Sequence, residues 1–114
     1  MKVIIMEESR KRNSQIAELL ERRKHQVVSC AGSGEFMEAL YKGSADRILM
    51  NVEAWQRGNA MYKYFDIIRR MGATPVVFYN APENFVNIPS REQNQGDRVL
   101  TKPVETEAVV EALE

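Results

Sequence analysis

The sequence predicts an α/β domain built on a doubly wound, five-stranded parallel sheet in the order 2-1-3-4-5, with helices on both faces. Two observations carry that expectation. Five short apolar runs rich in β-branched residues recur along the chain without alternating in polarity, as strands covered on both faces do. Amphipathic stretches of helical period, or a remnant of one, follow each run. At 114 residues the chain has the length of one domain, so residues 1–114 are read as a single unit.

The first run is Val3-Ile4-Ile5-Met6. Ser9 to Lys24 follows as a helix, capped by Ser9 or an adjacent Glu, with Ile16, Leu19, Leu20 and Arg23 at helical spacing. Val27-Val28-Ser29-Cys30 is the second strand. Phe36, Met37 and Leu40 mark a second helix ending near Gly43. Ile48-Leu49-Met50 is the third strand, and Met61, Tyr64, Phe65, Ile68 and Met71 mark a third helix stopped by Gly72 and Pro75. Val76-Val77-Phe78-Tyr79 is the fourth strand. Residues 82–94 carry Pro82, Pro89 and three Asn without an apolar stripe, so the fourth helix is expected to be irregular. Val99-Leu100 is the fifth strand, and Ala108, Val109, Ala112 and Leu113 mark a last helix starting near Glu105.

Composition excludes several function classes. Sixteen basic and sixteen acidic residues cancel to a formal net charge of +0, which argues against a nucleic-acid binder. Apolar content of 44% with 28% charged residues is that of a globular chain, and no apolar run approaches a bilayer span or a signal-peptide core. One cysteine, Cys30, excludes an intrachain disulfide and any multi-cysteine metal site. These features point to the cytoplasm. The first helix is basic (Arg10, Lys11, Arg12, Arg22, Arg23, Lys24) and the last acidic (Glu105, Glu107, Glu111, Glu114), an asymmetry expected to reflect complementary packing of adjacent helices.

In open α/β sheets chemistry sits beyond the carboxyl ends of the strands. There this chain places Glu7-Glu8, then Asn51, Val52 and Glu53, then Asn80 and Ala81, then Thr101-Lys102-Pro103. The paired carboxylates Glu7 and Glu8, two carboxamides and an ammonium converge with Glu53 alongside, so mutual pairing or solvent is required. Lys102 is expected to pair with Glu7 or Glu8.

In these residues the chain resembles bacterial response-regulator receiver domains of two-component signalling, which have the flavodoxin-like order. Val3-Ile4-Ile5-Met6-Glu7-Glu8-Ser9 looks like the first strand and acidic pair, and Ile48-Leu49-Met50-Asn51 like the third strand and phosphoacceptor position. Pro75 to Ala81 resembles the strand ending in Thr/Ser-Ala, and Gly96 to Pro103 the fifth strand with its Lys-Pro signature. The resemblance spans essentially the whole chain. It implies an aspartyl phosphoacceptor, Mg²⁺ on the acidic residues, a lysine and a hydroxyl on the phosphoryl oxygens, a switch aromatic and a cis Lys-Pro peptide.

The departures shape the functional reading. Asn51 stands at the acceptor position, and a neutral carboxamide cannot form an acyl phosphate as a carboxylate nucleophile does. A Mg²⁺ site on Glu7, Glu8 and Asn51 is expected to be weak at best, because that ion needs hard anionic oxygens at short, rigid distances. Asn80 replaces the switch hydroxyl, Val99 the switch aromatic, and only Lys102-Pro103 is unchanged.

The sequence is therefore read as a pseudo-receiver without enzymatic activity or cofactor. Its degenerate pocket comprises Glu7, Glu8, Asn51, Glu53, Asn80 and Lys102, and it is expected to act by protein–protein interaction. The expected partner is a protein or an effector domain in a longer regulator, with neither nucleic acid nor membrane as ligand. Trp55, Asn84, Phe85 and Val99 are the candidate contact residues, and the face of the fourth helix, fifth strand and last helix is the candidate homodimer surface. The alternative is a receiver-like domain that still binds a divalent metal or an anionic phosphodonor. Trp55 is read equally as a partner anchor or a lid on the pocket. Tyr64 and Phe65 are read as core, His25 as a cation at a helix C-terminus and Cys30 as a small apolar strand residue. A flavodoxin-type cofactor binder is disfavoured, because Gly32-Ser33-Gly34 follows the second strand and not the first.

Overall fold

The structure is a computed structural model and describes residues 1–43, 45–53, 74–82 and 97–113. Strands β1 (Lys2–Met6), β2 (Gln26–Cys30), β3 (Arg47–Asn51), β4 (Val76–Ala81) and β5 (Arg98–Thr101) form one sheet in the order β2-β1-β3-β4-β5. All four pairings are parallel, with Ile4 level with Val28 and Ile48, and Leu49 level with Val77. The predicted class and strand order are both observed.

The non-alternating apolar runs have the cause the sequence suggested. Helix α1 (Arg10–Arg22) and the last helix α3 (Thr106–Glu111) bury Val3, Ile5, Leu49, Val77 and Tyr79 with Ile16, Leu20, Val109, Val110 and Leu113. Helix α2 (Ser33–Lys42) covers the other face, where Ile4, Met6, Ile48, Met50, Val76 and Phe78 pack with Phe36 and Leu40. Alternate residues of each central strand thus enter different cores, and both cores exclude water.

Ser9 caps α1, its hydroxyl accepting from the Arg12 N–H at 3.3 Å. The helix stops two residues before the expected Lys24, because Lys24 takes a left-handed φ of 66° that an α-helix cannot continue. Arg23 is the C-cap and exposed, not part of the buried stripe. Gly43 ends α2 as expected. Helices α1 and α3 lie side by side as expected: aliphatic side chains of both are buried between them, and exposed Arg22 of α1 lines a surface groove with Glu105 and Glu107. His25 lies at the C-terminal end of α1, its backbone N–H donating to the Leu20 carbonyl at 3.0 Å, and its Nδ1 lies 3.3 Å from the amino group of Met1. Cys30 is buried in β2 as read from the sequence.

β4 runs two residues past the expected Tyr79. Asn80 has a left-handed φ of 57°, and the pairing with β5 shifts register between Phe78 and Ala81, as a bulge does. The Lys102-Pro103 peptide is cis. The expected third helix, the irregular fourth one, and Trp55, Asn84 and Phe85 lie outside the described residues. No described helix is long and apolar enough to cross a membrane.

Candidate functional site: a buried carboxylate at the sheet edge

Register builds the site. Met6 is level with Met50, so Glu7 comes beside Asn51, and Asn51 is in turn level with Tyr79. Side chains level in a parallel sheet share a face. Glu7 continues the row of Val3 and Ile5, so it faces α1, as Tyr79 does. The Glu7 N–H extends the ladder to the Cys30 carbonyl at 3.0 Å, and Asn13 Nδ2 donates to the carbonyls of Glu7 and Cys30, each at 3.1 Å.

Glu7 is only 2% exposed, and a carboxylate there must be surrounded by donors. Asn51 Nδ2 donates to Oε1 at 2.9 Å and to Oε2 at 3.1 Å. The Tyr79 hydroxyl donates to Oε1 at 2.8 Å and the Ser9 N–H to Oε2 at 3.1 Å. Arg12 Nε lies 3.8 Å from Oε1 as the ion-pair partner. Two further groups hold that guanidinium: it stands 5.4 Å from the Tyr79 ring centroid, and Nη2 donates to the Val104 carbonyl at 2.5 Å. The Asn51 amide is oriented from its other end, because Oδ1 accepts the Glu53 N–H at 2.9 Å.

These contacts make the Tyr79 hydroxyl a permanent donor. Burial, then the Glu7 charge and the hydrogen bond to it, push its pKa well above the ordinary phenol value, with Arg12 opposing weakly. The Cys30 thiol is pushed up to about 11 by burial and by Glu35, so it stays protonated and chemically quiet at neutral pH.

Of the residues assigned to the pocket from the sequence, the structure joins Glu7 and Asn51. Glu8, Glu53 and Lys102 are exposed. Asn80 is buried at 6% exposure, and Val99 packs half-buried against the core. The expected pairing of Lys102 with Glu7 or Glu8 is replaced by Arg12 with Glu7. The reason is direction: Glu7 faces α1, and Arg12 sits in that helix's first turn directly above it. Lys102 contributes its backbone instead, donating to the Ala81 carbonyl at 3.0 Å.

Tyr79 and Arg12 were missed in the sequence, where one reads as strand core and the other as a basic helix face. Counting register from Asn51 would have found Tyr79; only the direction of Glu7 could have found Arg12.

A hard divalent cation requires converging oxygen acceptors. Here the groups around Glu7 are an amide N–H₂, a hydroxyl donor, a backbone N–H and a guanidinium, and Asn51 Oδ1 is turned away to Glu53. Among the described residues no three His, Cys, Asp or Glu side chains gather as metal ligands. The donor set does not fit Mg²⁺.

The architecture recurs in solved structures. The N-terminal domain of a response regulator/sensory box/GGDEF three-domain protein from Carboxydothermus hydrogenoformans matches with a TM-score of 0.73 at 22% identity, over 99% of this chain and 90% of that one. A two-component response regulator from Clostridium difficile matches at 0.77 and 16% identity, over 99% and 92%. This is the receiver fold. A response-regulator receiver domain protein from Bacillus halodurans gives 0.76 at 16% identity, over 99% of this chain and 93% of that one. No family model and no curated protein matches the sequence. At these identities the likeness establishes the receiver fold, and any function must be argued from the site.

Proposed function

We propose that this chain is a receiver-like module of two-component signalling, working in the cytoplasm, that takes no phosphoryl group at residue 51 and acts by binding a protein partner or effector domain. The observation that carries this reading is the Asn51 amide, whose nitrogen contacts both oxygens of a buried Glu7. A receiver fold presents a carboxylate there to attack a phosphodonor; a neutral, resonance-stabilised amide donating to a neighbouring carboxylate lacks the charge and the nucleophilicity for that step. With no nucleophile, information passes through the shape of a surface. The β5 edge of the sheet together with α3, where Arg98 and Glu107 are exposed, is the surface assigned to that contact, homodimerisation included.

Incubation with acetyl phosphate and Mg²⁺, read by intact mass before and after hydroxylamine, tests the reading. The wild-type chain is expected to gain no phosphoryl adduct. The Asn51→Asp variant is the positive comparison, since it restores a carboxylate at the β3 end. A hydroxylamine-labile adduct on the wild type would overturn the proposal.

A further inference from the structure

We infer that Arg12 is the resident cation of the sheet-edge pocket: its guanidinium takes over the neutralisation of Glu7 that a bound divalent ion would otherwise supply, and so closes the pocket to metals. The inference rests on the poor fit of the donor set to Mg²⁺ and on four features of Arg12. Its Nε is 3.8 Å from Glu7 Oε1, against a carboxylate that is 2% exposed. That Nε is itself buried and has no hydrogen-bond partner, so its interaction with Glu7 is one of charge and not a directed bond. The Tyr79 ring lies under the guanidinium at 5.4 Å, and the Val104 carbonyl anchors the far end through Nη2. A planar, always-charged group held on three sides in this way is pre-organised to stay.

Exclusion then follows from electrostatics and from chemistry together. A divalent ion approaching Glu7 meets a fixed positive charge within about 4 Å of its ligand, poorly screened because the carboxylate is buried. It also meets the Asn51 N–H₂ where it needs an oxygen. The two obstacles are separable by substitution, because Asn51 is a matter of ligand type and Arg12 a matter of charge.

Titration of Mn²⁺ alone, by calorimetry and by thermal melting, with circular dichroism to confirm folding, reads both. The wild type is expected to show no saturable binding at millimolar Mn²⁺. Asn51→Asp supplies a second carboxylate and is expected to bind weakly. Asn51→Asp combined with Arg12→Gln is expected to bind at least about tenfold more tightly than Asn51→Asp, while Asn51→Asp with Arg12→Lys, which keeps the charge, stays near the single variant. If the Gln combination unfolds without metal, Mn²⁺ is expected to refold it, since an ion that binds only the folded state stabilises it. Saturable Mn²⁺ binding by the wild type would overturn the inference. So would a Gln combination that binds no better than Asn51→Asp, or that stays unfolded with Mn²⁺ present. A phosphoryl adduct on the wild type would sink the proposed function and leave the role of Arg12 standing, so the two can fail separately.

Discussion

Replacing Tyr79 by Phe removes one oxygen from the middle of the molecule and little else. The ring is 0% exposed, it keeps its place in the α1/α3 core, and Arg12 still stands over it at 5.4 Å. What disappears is a 2.8 Å hydrogen bond to a carboxylate that is itself buried. Hydrogen bonds to charged groups contribute about 1.5–3 kcal/mol, and no cavity is created, so the expected loss is about 2 kcal/mol. For a chain of this length, with an unfolding entropy of about 2 cal/mol/K per residue, that lowers Tm by about 8 °C. Urea unfolding followed by circular dichroism measures the free energy and thermal melting the shift, with Tyr41→Phe at an exposed site as the unaffected control. A Tyr79→Phe loss under about 0.5 kcal/mol would refute the argument that the Tyr79 hydroxyl is an essential member of the ring of donors around Glu7.

The two neighbouring glutamates are expected to separate sharply. Glu7→Gln removes the charge paired with Arg12 and leaves buried donors facing one another, costing about 3 kcal/mol or more in urea unfolding, whereas exposed Glu8→Gln changes stability by less than about 0.5 kcal/mol. Lys102→Ala is likewise expected to leave stability within about 0.5 kcal/mol of wild type, since its side chain is exposed and its backbone bond to Ala81 survives; a larger loss would restore the pairing the sequence suggested. Stability is expected to fall on the alkaline side. The folded-state pKa of Cys30 is raised from 9.0 to about 11, so the unfolded chain loses its proton first, and the stabilisation present below about 9 declines as pH rises toward about 11. Cys30→Ala should flatten the profile between about 9 and 10, measured by urea midpoints, whereas Tyr79, raised from 10.0, leaves a decline from about 10 upward in both proteins.

What could be read from the chain, and what could not, divides along a physical line. The strands and their order were legible because a parallel sheet covered on both faces demands runs such as Val3 to Met6, and the helix starting after Ser9 because its cap and its apolar spacing are local. The site was half legible. Glu7 and Asn51 follow from the rule that side chains just past the strands meet at the carboxyl edge. Their partners depend on which face a side chain takes and on what hangs above it: Glu7 falls on the α1 face and Glu8 does not, so Arg12 reaches one carboxylate and solvent reaches the other. Tyr79 was hidden by its setting, since a tyrosine inside an apolar run looks like packing until the register puts it level with Asn51. The left-handed turns at Lys24 and Asn80, which set the end of α1 and the bulge in β4, carry no glycine to announce them.

The contact between the Asn51 side-chain amide and Glu7 can be watched directly by ¹H–¹⁵N nuclear magnetic resonance. With Asn51 bound to both carboxylate oxygens, its N–H₂ signals should be slow to exchange with solvent and should hold their positions through titration with Mg²⁺ and then acetyl phosphate. Fast exchange of those protons, or a saturable shift on adding either reagent, would contradict a pocket already closed by the chain's own groups.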